Sequence, residues 1–153
     1  MKISDILDIK SIDVGFVPKN KEELLTYMLQ LASFSNKIIN KEEALKEIFA
    51  RESILSTGVG KGIALPHAKT KSVKESVGAL VILQSSIDYD SLDGQPVNII
   101  FLLLGLENNV GIHLKLLSKI SRLLNNDIFR EDLLNCQSPE HVIRLLKKME
   151  DKD

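Results

Sequence analysis

Helical stripes toward both ends of the chain and uninterrupted apolar runs in its middle predict an α/β fold, a sandwich of helices around a mixed sheet. A length of 153 residues accommodates one domain, 1–153, whose core buries most of its apolar surface without disulfide staples. Hydrophobic residues make up 44% and charged residues 27%, an ordinary globular balance that favours neither disorder nor a membrane protein.

The first helix is expected after Pro18-Lys19-Asn20, with Asn20 as N-cap and Glu23 three places on; Leu24, Leu25, Met28, Leu29, Leu31 and Ala32 form its apolar stripe. Asn40-Lys41-Glu42-Glu43 repeats the signal, and Ala44, Leu45, Ile48 and Phe49 supply a second stripe. Val77–Leu83 and Val97–Leu104 are too continuously apolar for half-wet strands and read as central strands covered on both faces. Between them, Asp88–Pro96 is polar and turn-rich, the pattern of a surface loop. From Gly111, Leu114, Leu117, Ile120 and Leu124 keep helical period; a short helix follows over Asp127–Asn135, and Ser138-Pro139-Glu140 opens the last, with Pro139 at the tolerated first position.

The segment Gly62-Ile63-Ala64-Leu65-Pro66-His67-Ala68 carries the chemical signal. Its apolar residues read as a buried strand, and Pro66 fixes its own φ and withdraws a backbone donor, so the chain is expected to leave the sheet there and place His67 at a strand exit. Upstream, Ser56, Thr57 and Gly58, continuing into Val59-Gly60, offer amides that can turn toward an anion as backbone nests do. Imidazole is substantially neutral near pH 7 and nucleophilic, so His67 can take up a phosphoryl group and release it. The loose phosphoryl-transfer state needs placement, cations and N–H donors, for which Arg51, the loop amides and His113 are the suppliers. His113 stands in the first turn of a helix after a central strand, where α/β ligand crevices gather.

Other chemistries fit poorly. Leu55 and Gly62 occupy the places where a nucleotide P-loop needs a glycine and a hydroxyl residue, leaving Lys61 as a solvated loop lysine. The three histidines lack metal-ligand spacing, so no metal is expected, and His141 reads as a surface or capping residue. The single Cys136 has no histidine beside it in sequence and reads as structural or incidental. A net charge of −1 with dispersed basic residues argues against nucleic acid, and Lys69-Thr70-Lys71-Ser72 is either a solvated turn or a face for an acidic partner. The apolar run Ile99–Leu104 is too short to span a bilayer, and no signal-peptide pattern follows Lys2, so no membrane insertion is expected and a cytoplasmic location is.

Together, Arg51–Ser53, Ser56–Gly60, Gly62–Ala68 and His113–Leu117 resemble the fructose/mannitol-type (type 2) EIIA domain of the phosphoenolpyruvate-dependent phosphotransferase system, including its nitrogen-regulatory PtsN-like branch. The pattern runs from about Ser4 to Lys147; Gly105-Leu106-Glu107 departs from it, standing where the family usually has a proline and an acid. The resemblance implies a mixed, mostly parallel sheet flanked by helices on both faces. It implies a phosphotransferase without cofactors, in which His67 accepts a phosphoryl group at Nε2 from an HPr-like phosphocarrier and passes it to an EIIB domain. By the same resemblance His113 hydrogen-bonds the phosphoryl group and Arg51 steadies its charge. The alternative is a regulator whose docking to target proteins is switched by phosphorylation at His67.

Overall fold

The computed structural model describes residues 1–152. In chain order it forms β1 (Ile12–Phe16), α1 (Lys21–Ala32), α2 (Lys41–Ile54), β2 (Gly58–Gly60), β3 (Ile63–Ala64), β4 (His67–Thr70), β5 (Val77–Ile87), β6 (Val97–Leu106), α3 (Val110–Leu124), α4 (Asp127–Leu134) and α5 (Pro139–Lys152). Asn20 and Asn40 cap α1 and α2 as expected, their side chains accepting from the amides of Glu23 (2.8 Å) and Glu43 (3.0 Å). Among the described residues no helix is long and apolar enough to cross a membrane.

The sheet is mixed. β1 pairs with β5 in parallel, and β3 and β4 both pair with β6 in parallel, whereas β5–β6 and β2–β3 are antiparallel. Alternation along β6 divides the core between two faces. Ile99, Phe101 and Leu103 pack with Leu116 and Ile120 of α3, Phe129 of α4 and Val142 of α5, and Ile100, Leu102 and Leu104 pack with Leu24 and Met28 of α1 and Ile48 of α2. Both faces are covered, which is why the central runs lack polar alternation.

Three local expectations are corrected. Pro66 does not end the strand. Ile63 lies opposite Ile99 and His67 opposite Leu103, an offset of 36 on both sides of the interruption, so β3 and β4 are one strand that keeps its register along β6. The Pro66 carbonyl still accepts from the Leu103 amide at 3.0 Å, so the ladder survives the missing donor and His67 begins the second segment. The polar loop after β5 is not wholly superficial, because Tyr89 is fully buried within it. Finally, β1 is absent from the predicted element order, although Ile12, Val14 and Phe16 alternate with Asp13 and Gly15; it is an edge strand whose outer half stays partly exposed.

Candidate functional site

Directly paired residues in a sheet share a face, so His67 projects with Leu103 toward the side covered by α3. Its Nδ1 lies 2.8 Å from the Leu65 carbonyl oxygen. A carbonyl can only accept, so Nδ1 carries the proton and Nε2 keeps its lone pair. The interruption at Leu65-Pro66 makes this contact possible, because the Leu65 carbonyl is bent out of the ladder back onto the ring two residues later. Partial burial holds the imidazole below its ordinary pKa and the nearby Arg51 guanidinium lowers it further, against the Leu65 carbonyl, so the neutral, nucleophilic form dominates at neutral pH.

His113 occupies the first turn of α3 and is 3% exposed. Its ring centroid is 5.9 Å from that of His67 at an interplanar angle of 47°. Burial, with His67 and Lys69 nearby, pushes its pKa down to about 4, and neither ring nitrogen finds a partner among the described residues. This neutral, buried imidazole keeps unused hydrogen-bonding capacity beside His67, with its Nδ1 turned toward Gly105. Gly105 makes room for it, since a Cβ there would stand 2.3 Å from His113 Nδ1. The departure from the proline-acid pattern therefore falls where the imidazole needs a bare backbone.

Arg51 reaches the same place from the last turn of α2, where its Nη1 donates to the Leu55 carbonyl at 3.0 Å. With His67, His113 and Lys69 it lines a cleft of about 510 Å³, flanked by Ile54 (79% exposed) and Leu114 (59% exposed). Glu47 also lines it, with Oε1 accepting from the Thr70 hydroxyl at 2.8 Å; against that one carboxylate, two cations and two neutral imidazoles still suit an anion.

The predicted loop residues are placed differently. The Thr57 amide donates to Glu52 Oε2 (2.7 Å) and its hydroxyl to Oε1 (2.5 Å), while the Gly58 amide donates to Ser56 Oγ (3.1 Å), which itself donates to the Tyr89 carbonyl (3.2 Å). Ser56, Thr57 and Gly58 do not line the cleft, and the amides of Thr57 and Gly58 are engaged within the fold. A Cβ at Gly58 would fall 2.3 Å from Ser91 Oγ, so close packing accounts for that glycine. Lys61 and Gly62, with φ of 59° and 78°, form the left-handed turn joining β2 to β3, and Lys61 is exposed as expected. His141 is exposed, with its amide bonded to Ser138 Oγ. Cys136 is buried, and burial raises its thiol pKa away from reactivity.

The residue that sequence reasoning missed is Glu52, a 7% exposed carboxylate beside Arg51 that clamps the loop and pairs with Lys21 Nζ at 3.0 Å. Its only sequence signal was an acid near the C-terminal end of a helix, where the macrodipole disfavours one.

Two outcomes follow from this packing. Gly105→Ala should displace the His113 ring and destabilise the fold by about 1–3 kcal/mol, read from chemical denaturation and loss of the His67–His113 ring contact. The pH dependence is signed by His113: between pH 6.5 and about 4 the unfolded chain binds a proton that folded His113 refuses, so stability falls as pH drops through that window. His113→Asn should flatten this part of the acid limb, measured by urea melts across the same range.

With this geometry in place, the likenesses to known proteins are informative. The family model described as phosphoenolpyruvate-dependent sugar phosphotransferase system, EIIA 2, matches residues 5–149. The fructose-specific EIIABC component of Bacillus subtilis is 35% identical over 148 residues, 97% of this chain, and the chain spans 23% of that protein's length. The fructose-specific EIIA component of Haloferax volcanii is 33% identical over 147 residues, covering 96% of each. Among solved structures, nitrogen regulatory protein IIA-Ntr from Neisseria meningitidis superposes with a TM-score of 0.88 at 33% identity, covering 94% of this chain and 98% of its own. Built on a sheet of this topology, bringing His67, His113 and Arg51 to one cleft and matched along nearly its whole length, the chain belongs to the EIIA 2 family of the phosphoenolpyruvate-dependent sugar phosphotransferase system.

Proposed function

We propose that the chain is a phosphocarrier in which His67 Nε2 accepts a phosphoryl group from the phosphohistidine of an HPr-like protein and passes it to an EIIB domain. The observation that carries this reading is the Nδ1–H bond to the Leu65 carbonyl, which leaves Nε2 as the free nucleophile on a ring close to that of His113. In the forward step the Nε2 lone pair attacks phosphorus, an N–P bond forms, and the donor's N–P bond breaks with its electron pair returning to the donor imidazole. The phosphorylated ring of His67 then bears positive charge, which the Leu65 carbonyl stabilises through the same Nδ1–H.

Arg51 offsets the charge on the phosphoryl oxygens, and one N–H of neutral His113 donates to them. An attacking cysteine or histidine of the EIIB domain takes the group by the reverse step. An EIIB partner is in keeping with the fused EIIABC organisation named for the Bacillus relative, and sugar uptake with the fructose specificity named for both curated relatives. The high structural likeness to IIA-Ntr favours a second reading on the same chemistry, in which phosphorylation at His67 adds roughly two negative charges and switches docking to regulated targets in the cytoplasm.

Incubation with enzyme I, HPr-type carriers and phosphoenolpyruvate should label the protein in an acid-labile, base-stable form. His67→Ala should take no label, and labelling of that variant at wild-type stoichiometry would overturn the assignment. Arg51→Ala should slow transfer through a barrier raised by on the order of 2–4 kcal/mol, and His113→Ala should slow it in a folded protein; rapid-quench rates equal to wild type in both directions would remove either residue from the chemistry.

A further inference from the structure

Outside the cleft, the most heavily buried charge among the described residues sits on Glu52. Its carboxylate receives the Thr57 amide (2.7 Å), the Thr57 hydroxyl (2.5 Å) and the Tyr89 hydroxyl (3.2 Å), and it faces the ammonium of Lys21 at 3.0 Å. That ammonium also lies 4.3 Å from the centroid of the Tyr89 ring. The cluster joins the start of α1, the end of α2, the approach to β2 and the loop after β5, four segments with no strand pairing among them at this point.

The placement of Thr57 matters for one further bond. Its carbonyl accepts from the Leu65 amide at 3.0 Å, and the carbonyl of the same Leu65 accepts from His67 Nδ1 at 2.8 Å. Leu65 lies in the interruption between β3 and β4, so the ladder to β6 does not hold its amide; Thr57 does. Thr57 is in turn held at both its amide and its hydroxyl by the two oxygens of one carboxylate, which fixes its position and orientation together.

We propose that Glu52 is a positioning residue for the phosphoryl-transfer chemistry: through Thr57 and the Leu65 peptide it holds the carbonyl that keeps the proton on His67 Nδ1 and the lone pair on Nε2. This rests on the reading of His67 as the nucleophile. Glu52 contacts neither His67 nor the cleft. Its charge also acts on the His67 ring through space, but the effect proposed is geometric and is isolated by Thr57→Val, which leaves that charge in place: a displaced Leu65 carbonyl would release His67 to the Nε2–H tautomer that free histidine favours, in which the attacking nitrogen has no lone pair.

The test reads the tautomer directly. Nitrogen-15 imidazole spectra of the unphosphorylated wild type should show His67 protonated at Nδ1 alone. Glu52→Gln, isosteric but lacking the second acceptor oxygen, and Thr57→Val, lacking the hydroxyl, should both bring in an Nε2–H population and slow phosphoryl transfer on the order of 10- to 100-fold. Thr57→Ser keeps both bonds to Glu52 and should restore the wild-type tautomer and rate. Should Glu52→Gln fail to fold, Thr57→Val and Thr57→Ser decide the matter alone. Folded variants with the wild-type His67 tautomer would overturn the inference, whatever their melting temperatures. A wild-type protein that takes no phosphoryl label would instead sink the phosphocarrier reading, while the tautomer comparison still decides what Glu52 holds in place.

Discussion

β6 is buried on both faces, and its pairing with the interrupted strand β3–β4 keeps one register across Leu65-Pro66. A slip of one residue would carry Ile63 and His67 to the face covered by α1 and α2 and bring Ala64 and Ala68 to the face covered by α3. The apolar side chains on each face oppose such a slip, so ordinary core packing sets which way the His67 ring projects. The same strand runs on through Gly105 into the turn before α3, and so also sets where His113 arrives. One buried strand therefore governs the meeting of the two imidazoles.

Around that meeting point the protein uses burial to control protonation. Desolvation keeps His67 and His113 neutral, while the cations of Arg51 and Lys69 stay at the rim of the cleft, available to an incoming anion. Glu52 applies the converse arrangement. Its carboxylate is desolvated, yet two bonds from Thr57 and the Lys21 ammonium keep its pKa below the usual carboxylate range, so it stays ionised as a rigid acceptor. Neutral groups thus face the reacting centre and a paired ion frames it.

Much of this is legible in the sequence. The caps at Asn20 and Asn40, the central strands and the last three helices follow from short-range rules in which a residue and its near neighbours decide the backbone. His67, Arg51 and His113 were legible as chemistry because few side chains can carry a phosphoryl group or balance its charge. β1 escaped because five alternating residues at a sheet edge give a weak signal. Pro66 misled because a missing donor usually ends a strand, whereas here its carbonyl and the two flanking segments keep the ladder on β6. The glycine-rich run looked like an anion cradle because composition shows which amides could turn outward, but not which are already taken by Glu52 and Ser56.

By itself the sequence determined the class of fold and singled out His67 and Arg51 as candidates for nucleophile and cation, since helix periodicity, strand composition and the chemistry of imidazole and guanidinium are properties of residues and their neighbours. Only the tertiary structure decided the His67 tautomer, the nearness of His113, the role of Gly105 and the clamp built on Glu52. Each of these depends on contacts between segments distant in the chain, such as Lys21 with Glu52 and Gly105 with His113, or on a bend of the backbone that local propensity does not specify.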